Sequence, residues 1–158
     1  SIAQNVALTW TEEIDRERVE YALERAQLSS LVASRANGID ERIGERGVSL
    51  SGGQQQRLGI ARALYTDPLV LVLDEATSSL DTKTEDEVTK AIRSLRGEVT
   101  LISVAHRLST IKDYDRICYM DDGVIAAQGS FIEVASSLPA FAEQVLLAGL
   151  AGELERKA

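Results

Sequence analysis

Ser51-Gly52-Gly53-Gln54, set between Leu50 and Gln55-Gln56-Arg57, carries the most readable chemistry in the chain. A serine and two glycines opening a helix leave its first amides uncovered at the positive end of the helix dipole, a surface that accepts phosphate. The same residues also form a capping box, in which Ser51 and Gln54 satisfy those amides themselves. Both readings share one geometry, and four residues taken alone favour the cap. Further on, the apolar run 69–73 delivers Asp74 and Glu75. Two acids after a strand are most commonly just solvated. In a phosphate-handling site the first would hold Mg²⁺ and the second would orient or deprotonate an attacking water. His106, the only histidine, follows the apolar run 99–104. A lone histidine is more often structural, but this one falls on the same sheet edge as the two acids if the strands are parallel, which gives a functional role equal weight.

Those residues need elements to hold them. Val19, Ala22, Leu23 and Ala26 recur at helical spacing, and a short helix is expected over 30–35 before Asn37-Gly38. Residues 38–47 read as a charged, glycine-punctuated loop. A helix from residue 51 to about 65 should bury Leu58, Ala61, Leu64 and Tyr65 and end at Asp67-Pro68. The run 69–73 has the pattern of a strand covered on both sides. Asp81 can N-cap the next helix, with Val88, Ala91, Ile92 and Leu95 facing inward and Gly97 stopping it. Strands at 99–104 and 116–120 follow, with Asp121-Asp122-Gly123 as a hairpin turn into 124–127 and helices over 131–137 and 140–150. Alternating strands and helices imply an α/β fold with a parallel sheet and right-handed crossovers.

Composition narrows the class. One domain is expected for 158 residues with 44% hydrophobic content, and with 4% aromatics its core must be aliphatic. Acids outnumber bases 25 to 17, for a formal charge of −8, which argues against a nucleic-acid partner. Cys118 is the only cysteine and, within Ile117-Cys118-Tyr119-Met120, reads as a buried apolar residue. Residues 1–10 lack the pattern of a secretory signal, and no stretch approaches the roughly 20 apolar residues of a membrane span, so a soluble chain is expected.

Joint occurrence decides between these readings. The serine-glycine loop, the strand with paired acids, Ser78-Ser79-Leu80-Asp81, and Ala105-His106-Arg107-Leu108-Ser109-Thr110 stand in one order. The chain resembles, over nearly its whole length, the nucleotide-binding domain of exporter-type ABC (ATP-binding cassette) transporters. Residues 50–54 match the family's signature motif, 70–75 its Walker B strand, 78–81 its D-loop, His106 its switch histidine and Gly44-Glu45-Arg46-Gly47 its X-loop. The resemblance implies a P-loop-NTPase-like sheet with flanking helices, residues 1–50 forming a helical subdomain and X-loop and 51–158 the remainder of the catalytic core. It implies ATP and Mg²⁺ as ligands: Ser51, Gly52, Gly53 and Gln54 meeting ATP, Asp81 working across a dimer interface, Asp74 serving the metal, and Glu75 and His106 acting as general base and γ-phosphate sensor. It further implies a second nucleotide-binding domain paired head to tail, contact with the coupling helices of a membrane domain, and a place on the cytoplasmic face of the membrane.

The family's lysine-bearing P-loop and its first strands precede this region, and the chain contains neither. It therefore corresponds to a partial domain, with part of the cover for 69–73 absent, and in isolation it should be inactive. The alternative is a non-catalytic interaction module that lends its signature to a complete cassette. The run Gly59-Ile60-Ala61-Arg62 is similar to that of lipid-linked-glycan flippases, though the transported substrate cannot be read from these residues.

Overall fold

A computed structural model describes residues 1–10, 13–44, 50–76, 81–105 and 107–155. The chain divides into two compact units, Ser1–Val104 and Ala105–Ala158.

The first unit begins with α1 (Ile2–Ala7), which carries its own capping box from Ser1 and Gln4. Helix α2 (Arg16–Arg25) starts at Asp15, whose carboxylate accepts from the Arg18 amide. Its stripe of Val19, Ala22 and Leu23, continued by Ala26, is essentially solvent-free, as the spacing predicts. After α3 (Ser29–Ala33) a single 3-10 turn, Gly38–Asp40, interrupts the expected loop and buries Ile39. Helix α4 (Gly52–Tyr65) lies against both α1 and α2 and buries Leu58, Ile60, Ala61 and Leu64. Each of the Leu and Ile side chains removed from water contributes about 2 kcal/mol. The helix ends where Asp67 takes a left-handed φ of 52° before Pro68.

Strands β1 (Val70–Asp74) and β2 (Thr100–Val104) pair in parallel, from Val70 opposite Thr100 to Asp74 opposite Val104. Helix α5 (Thr82–Ser94) makes the crossover, capped by Asp81 and packed through Val88, Ala91, Ile92 and Leu95. One face of β1 is covered and the other open, in line with the expectation that part of its cover is absent. Leu71 and Leu73 are buried beside the α5 residues, whereas Val70 and Val72 on the other face are 49% and 61% exposed. A continuous apolar run shows that both faces are fit for burial; it cannot show on which face a neighbour stands.

The second unit opens with α6 (Leu108–Ile111). Strands β3 (Ile117–Asp121) and β4 (Val124–Gly129) pair as an antiparallel hairpin. The two-residue turn explains the choice: Asp122 and Gly123 both have positive φ, 44° and 78°, the backbone of a tight hairpin. Cys118 does correct an expectation. It is exposed, because the period of two turns Ile117 and Tyr119 toward the core and Cys118 outward. Helices α7 (Phe131–Ser137), α8 (Pro139–Leu147) and α9 (Ala151–Glu155) complete the unit. Phe141 sits edge-on to both Tyr119 and Phe131, at centroid distances of 5.8 and 5.4 Å.

Candidate functional site

Ser51 enters α4 with extended backbone, φ −67° and ψ 161°, as an N-cap must. Its Oγ accepts from the Gln54 amide at 3.3 Å, and its own amide donates to Gln54 Oε1 at 3.0 Å. The capping box is therefore complete. It occupies the Ser51 amide and the Gln54 amide, and leaves Gly52 and Gly53 at the first two helical positions, whose amides no helical carbonyl can reach. Ser51 and Gly52 are exposed, so an anion can approach that end of the helix from solvent. Gln55 closes the entry turn, donating from Nε2 to the Leu50 carbonyl at 3.3 Å.

Gly53 differs from its neighbour in being buried. A Cβ at this position would stand 2.2 Å from Cγ2 of Thr84 on α5. The glycine thus has a packing reason besides any phosphate role: it lets two helix N-termini lie in contact. Asp81 begins the second of them, with Oδ1 accepting from the Thr84 amide at 3.2 Å. Of the residues singled out in the sequence, the fold therefore brings Ser51–Gln54 and Asp81 into one neighbourhood.

Asp74 and Glu75 lie at the carboxyl end of β1, and both are exposed. Glu75 leaves the strand in a left-handed conformation, φ 47°, while its amide donates to the Val104 carbonyl at 3.0 Å. Two consecutive carboxylates thus stand at the carboxyl end of the parallel pair, where ligands of open α/β sheets bind. No cluster of three metal-ligating side chains gathers among the described residues. One or two exposed carboxylates at a strand end fit Mg²⁺ that takes its other ligands from water and phosphate, and would not fit an all-protein cage. His106, Ser78, Ser79, Leu80 and Glu45–Gly47 lie outside the described residues.

Two contacts escaped the sequence reading. Arg57, only 7% exposed, donates from Nη1 to Glu87 Oε2 of α5 at 2.7 Å. Arg62, farther along α4, donates from Nε to the Asn5 carbonyl and from Nη2 to Asn5 Oδ1 on α1. The only signal for the first was positional: Arg57 lies six residues beyond Ser51, and Glu87 six beyond Asp81.

The same chain can be set beside known proteins. A family model described as ABC transporter matches residues 2–78. The ATP-dependent lipid A-core flippase of Vibrio vulnificus (strain YJ016) is 43% identical over 143 residues, which cover 90% of this chain and 24% of that protein. The flippase of Cupriavidus metallidurans is 47% identical over 136 residues, covering 85% of the chain and 23% of the relative. Among solved structures, a bacterial Atm1-family ABC exporter with ATP bound superposes with a TM-score of 0.78 at 38% identity, over 94% of this chain and 26% of the exporter chain. The chain thus spans about a quarter of the length of the relatives it matches.

Proposed function

This chain belongs to the ABC transporter family as a portion of an exporter-type nucleotide-binding domain, and we propose that it serves ATP binding and hydrolysis coupled to transport across a membrane. The observation that carries the reading is the start of α4: glycine at the first two helical positions behind the Ser51–Gln54 cap, with Ser51 and Gly52 exposed to solvent. That surface suits the terminal phosphate of an ATP held mainly by a second nucleotide-binding domain in a head-to-tail pair. By function the chain divides at Leu50/Ser51, with residues 1–50 meeting the coupling helices of a membrane domain and 51–158 supplying the catalytic remainder. No helix among the described residues is long and apolar enough to cross a membrane. The whole protein would place these residues at the cytoplasmic face. The flippase relatives support a lipid-linked glycan as the transported class.

In this reading Asp74 would hold Mg²⁺, which would supply charge screening for the phosphates. The Glu75 carboxylate takes a proton from water as its oxygen attacks the γ-phosphorus, the bond to ADP breaks, and His106 senses the γ-phosphate. Ser51, Gly52, Gly53 and Gln54 hold the phosphate from the opposing side, and Asp81 works across the pair. The 158 residues include no lysine-bearing phosphate loop. Most phosphate contacts are therefore missing from them, and alone they neither hold ATP at physiological concentration nor turn it over. Micromolar ATP binding to the 158-residue chain by calorimetry would contradict that statement. In the intact transporter, Glu75→Gln should abolish turnover while ATP-driven dimerisation persists, and undiminished ATPase activity would remove Glu75 from its role.

A further inference from the structure

Two helices in the first unit begin side by side, and they are tied at equal depth. Helix α4 starts at Ser51 and α5 at Asp81, and Gly53 touches Thr84 near their tips. Six residues into each, about 9 Å along the axis, Arg57 and Glu87 meet at 2.7 Å. The Arg57 side chain is 9% exposed and that of Glu87 46%, so the ion pair reaches from the interior to the surface. Arg57 Nε, itself buried, finds no acceptor among the described residues, so the ion pair with Glu87 is the guanidinium's one polar contact there. A buried charge stripped of its partner is strongly unfavourable, so loss of Glu87 would drive Arg57 outward and shift the start of α4 with it.

We propose that Arg57 and Glu87 are a positioning pair: with the Gly53–Thr84 contact they lock Ser51–Gln54 to Asp81, so that the phosphate-facing loop and the cross-dimer aspartate move as one body. The proposal rests on the reading of Ser51–Gln54 as an ATP contact. Neither Arg57 nor Glu87 touches nucleotide in this account. Both act through the helix ends they hold. A displaced α4 start meets the terminal phosphate less well, which weakens ATP capture more than the chemistry that follows.

The test is steady-state ATPase kinetics of the full-length transporter with ATP as the probe. Glu87→Ala, at a half-exposed position, should raise KM for ATP about tenfold, the size of one lost charge-assisted contact, with kcat within about threefold of the parent. Glu87→Gln, which keeps an oxygen for Arg57, should restore KM to within about threefold. Ser51→Arg, filling the phosphate position, should abolish activity and serves as the control on the underlying reading. An unchanged KM in Glu87→Ala beside an inactive Ser51→Arg overturns the positioning role alone. Equal falls in kcat and Tm without a shift in KM do so as well, since they mark a merely structural pair. Undiminished activity in Ser51→Arg overturns the ATP contact itself and the proposal with it.

Discussion

Arg62 holds Asn5 twice, its Nε donating to the main-chain carbonyl at 3.1 Å and its Nη2 to Oδ1 at 2.8 Å. The contact joins residues 57 positions apart and fastens α1 to the middle of α4. Because one acceptor is backbone, no side-chain change at Asn5 can remove it. Arg62→Ala should therefore lower stability by about 2 kcal/mol and Asn5→Ala by about half as much. Urea unfolding of the two variants checks the order; equal losses would mean that the backbone arm contributes nothing.

Gly53 and Thr84 make a second test of close packing. Gly53 has ordinary helical φ, so alanine there costs no backbone strain and even gains helix propensity. The clash with Thr84 Cγ2 should nonetheless make Gly53→Ala destabilising by about 1–2 kcal/mol. Thr84→Ser deletes that methyl, and the next nearest atom, Thr84 Cβ, stands at 3.5 Å. The double variant should recover most of the loss. Failure of the serine to rescue in a thermal melt would place the cause elsewhere.

The hairpin of the second unit depends on Gly123, whose φ of 78° is costly for any side chain. Gly123→Ala should destabilise that unit by about 1 kcal/mol, whereas Asp122→Asn should be nearly neutral because asparagine accepts the left-handed region. Comparing the two by urea midpoint separates turn geometry from loss of charge.

Acidification should weaken both units through particular carboxylates. The Ser130 amide, donating to Glu133 Oε2 at 2.7 Å, holds the Glu133 carboxyl below its usual range, and the Arg16 guanidinium does the same for Asp40. A group whose folded pKa is depressed adds stability above its unfolded pKa, about 4, and loses it as pH falls through the folded value. Stability should thus be full near neutrality and decline below about pH 4. Glu133→Gln keeps the capping oxygen without a titrating proton, so its midpoint should fall less than the parent's between about pH 6 and about pH 3. Parallel declines would exclude Glu133 as a contributor.

Much of this was legible beforehand, for local reasons. Ser51 and Asp81 announce their helices because cap, dipole and apolar stripe agree within a few residues. Helix α1 went unread although Ser1 and Gln4 carry the same signal as Ser51 and Gln54, because six residues give too little periodicity to support it. Cys118 was misplaced because apolar neighbours at every position hide which phase of the strand faces inward. Arg57 and Glu87 lie 30 residues apart, and no local pattern tells an arginine which of several acids it will meet. At the site, residue types and order were legible; the contact of Gly53 with Thr84 was a property of the packed helices alone.

The matched spacing of Ser51 to Arg57 and Asp81 to Glu87 acts as a ruler with tolerances. One residue inserted before Arg57 would swing its side chain by about 100° around α4, away from α5. Substitutions at half-exposed Gln56 leave that geometry intact. Variants of this chain should therefore tolerate a change of identity at Gln56 far better than a change in the number of residues between Ser51 and Arg57, while Ser51–Gln54 stay fixed by the phosphate surface and by the Gly53–Thr84 contact.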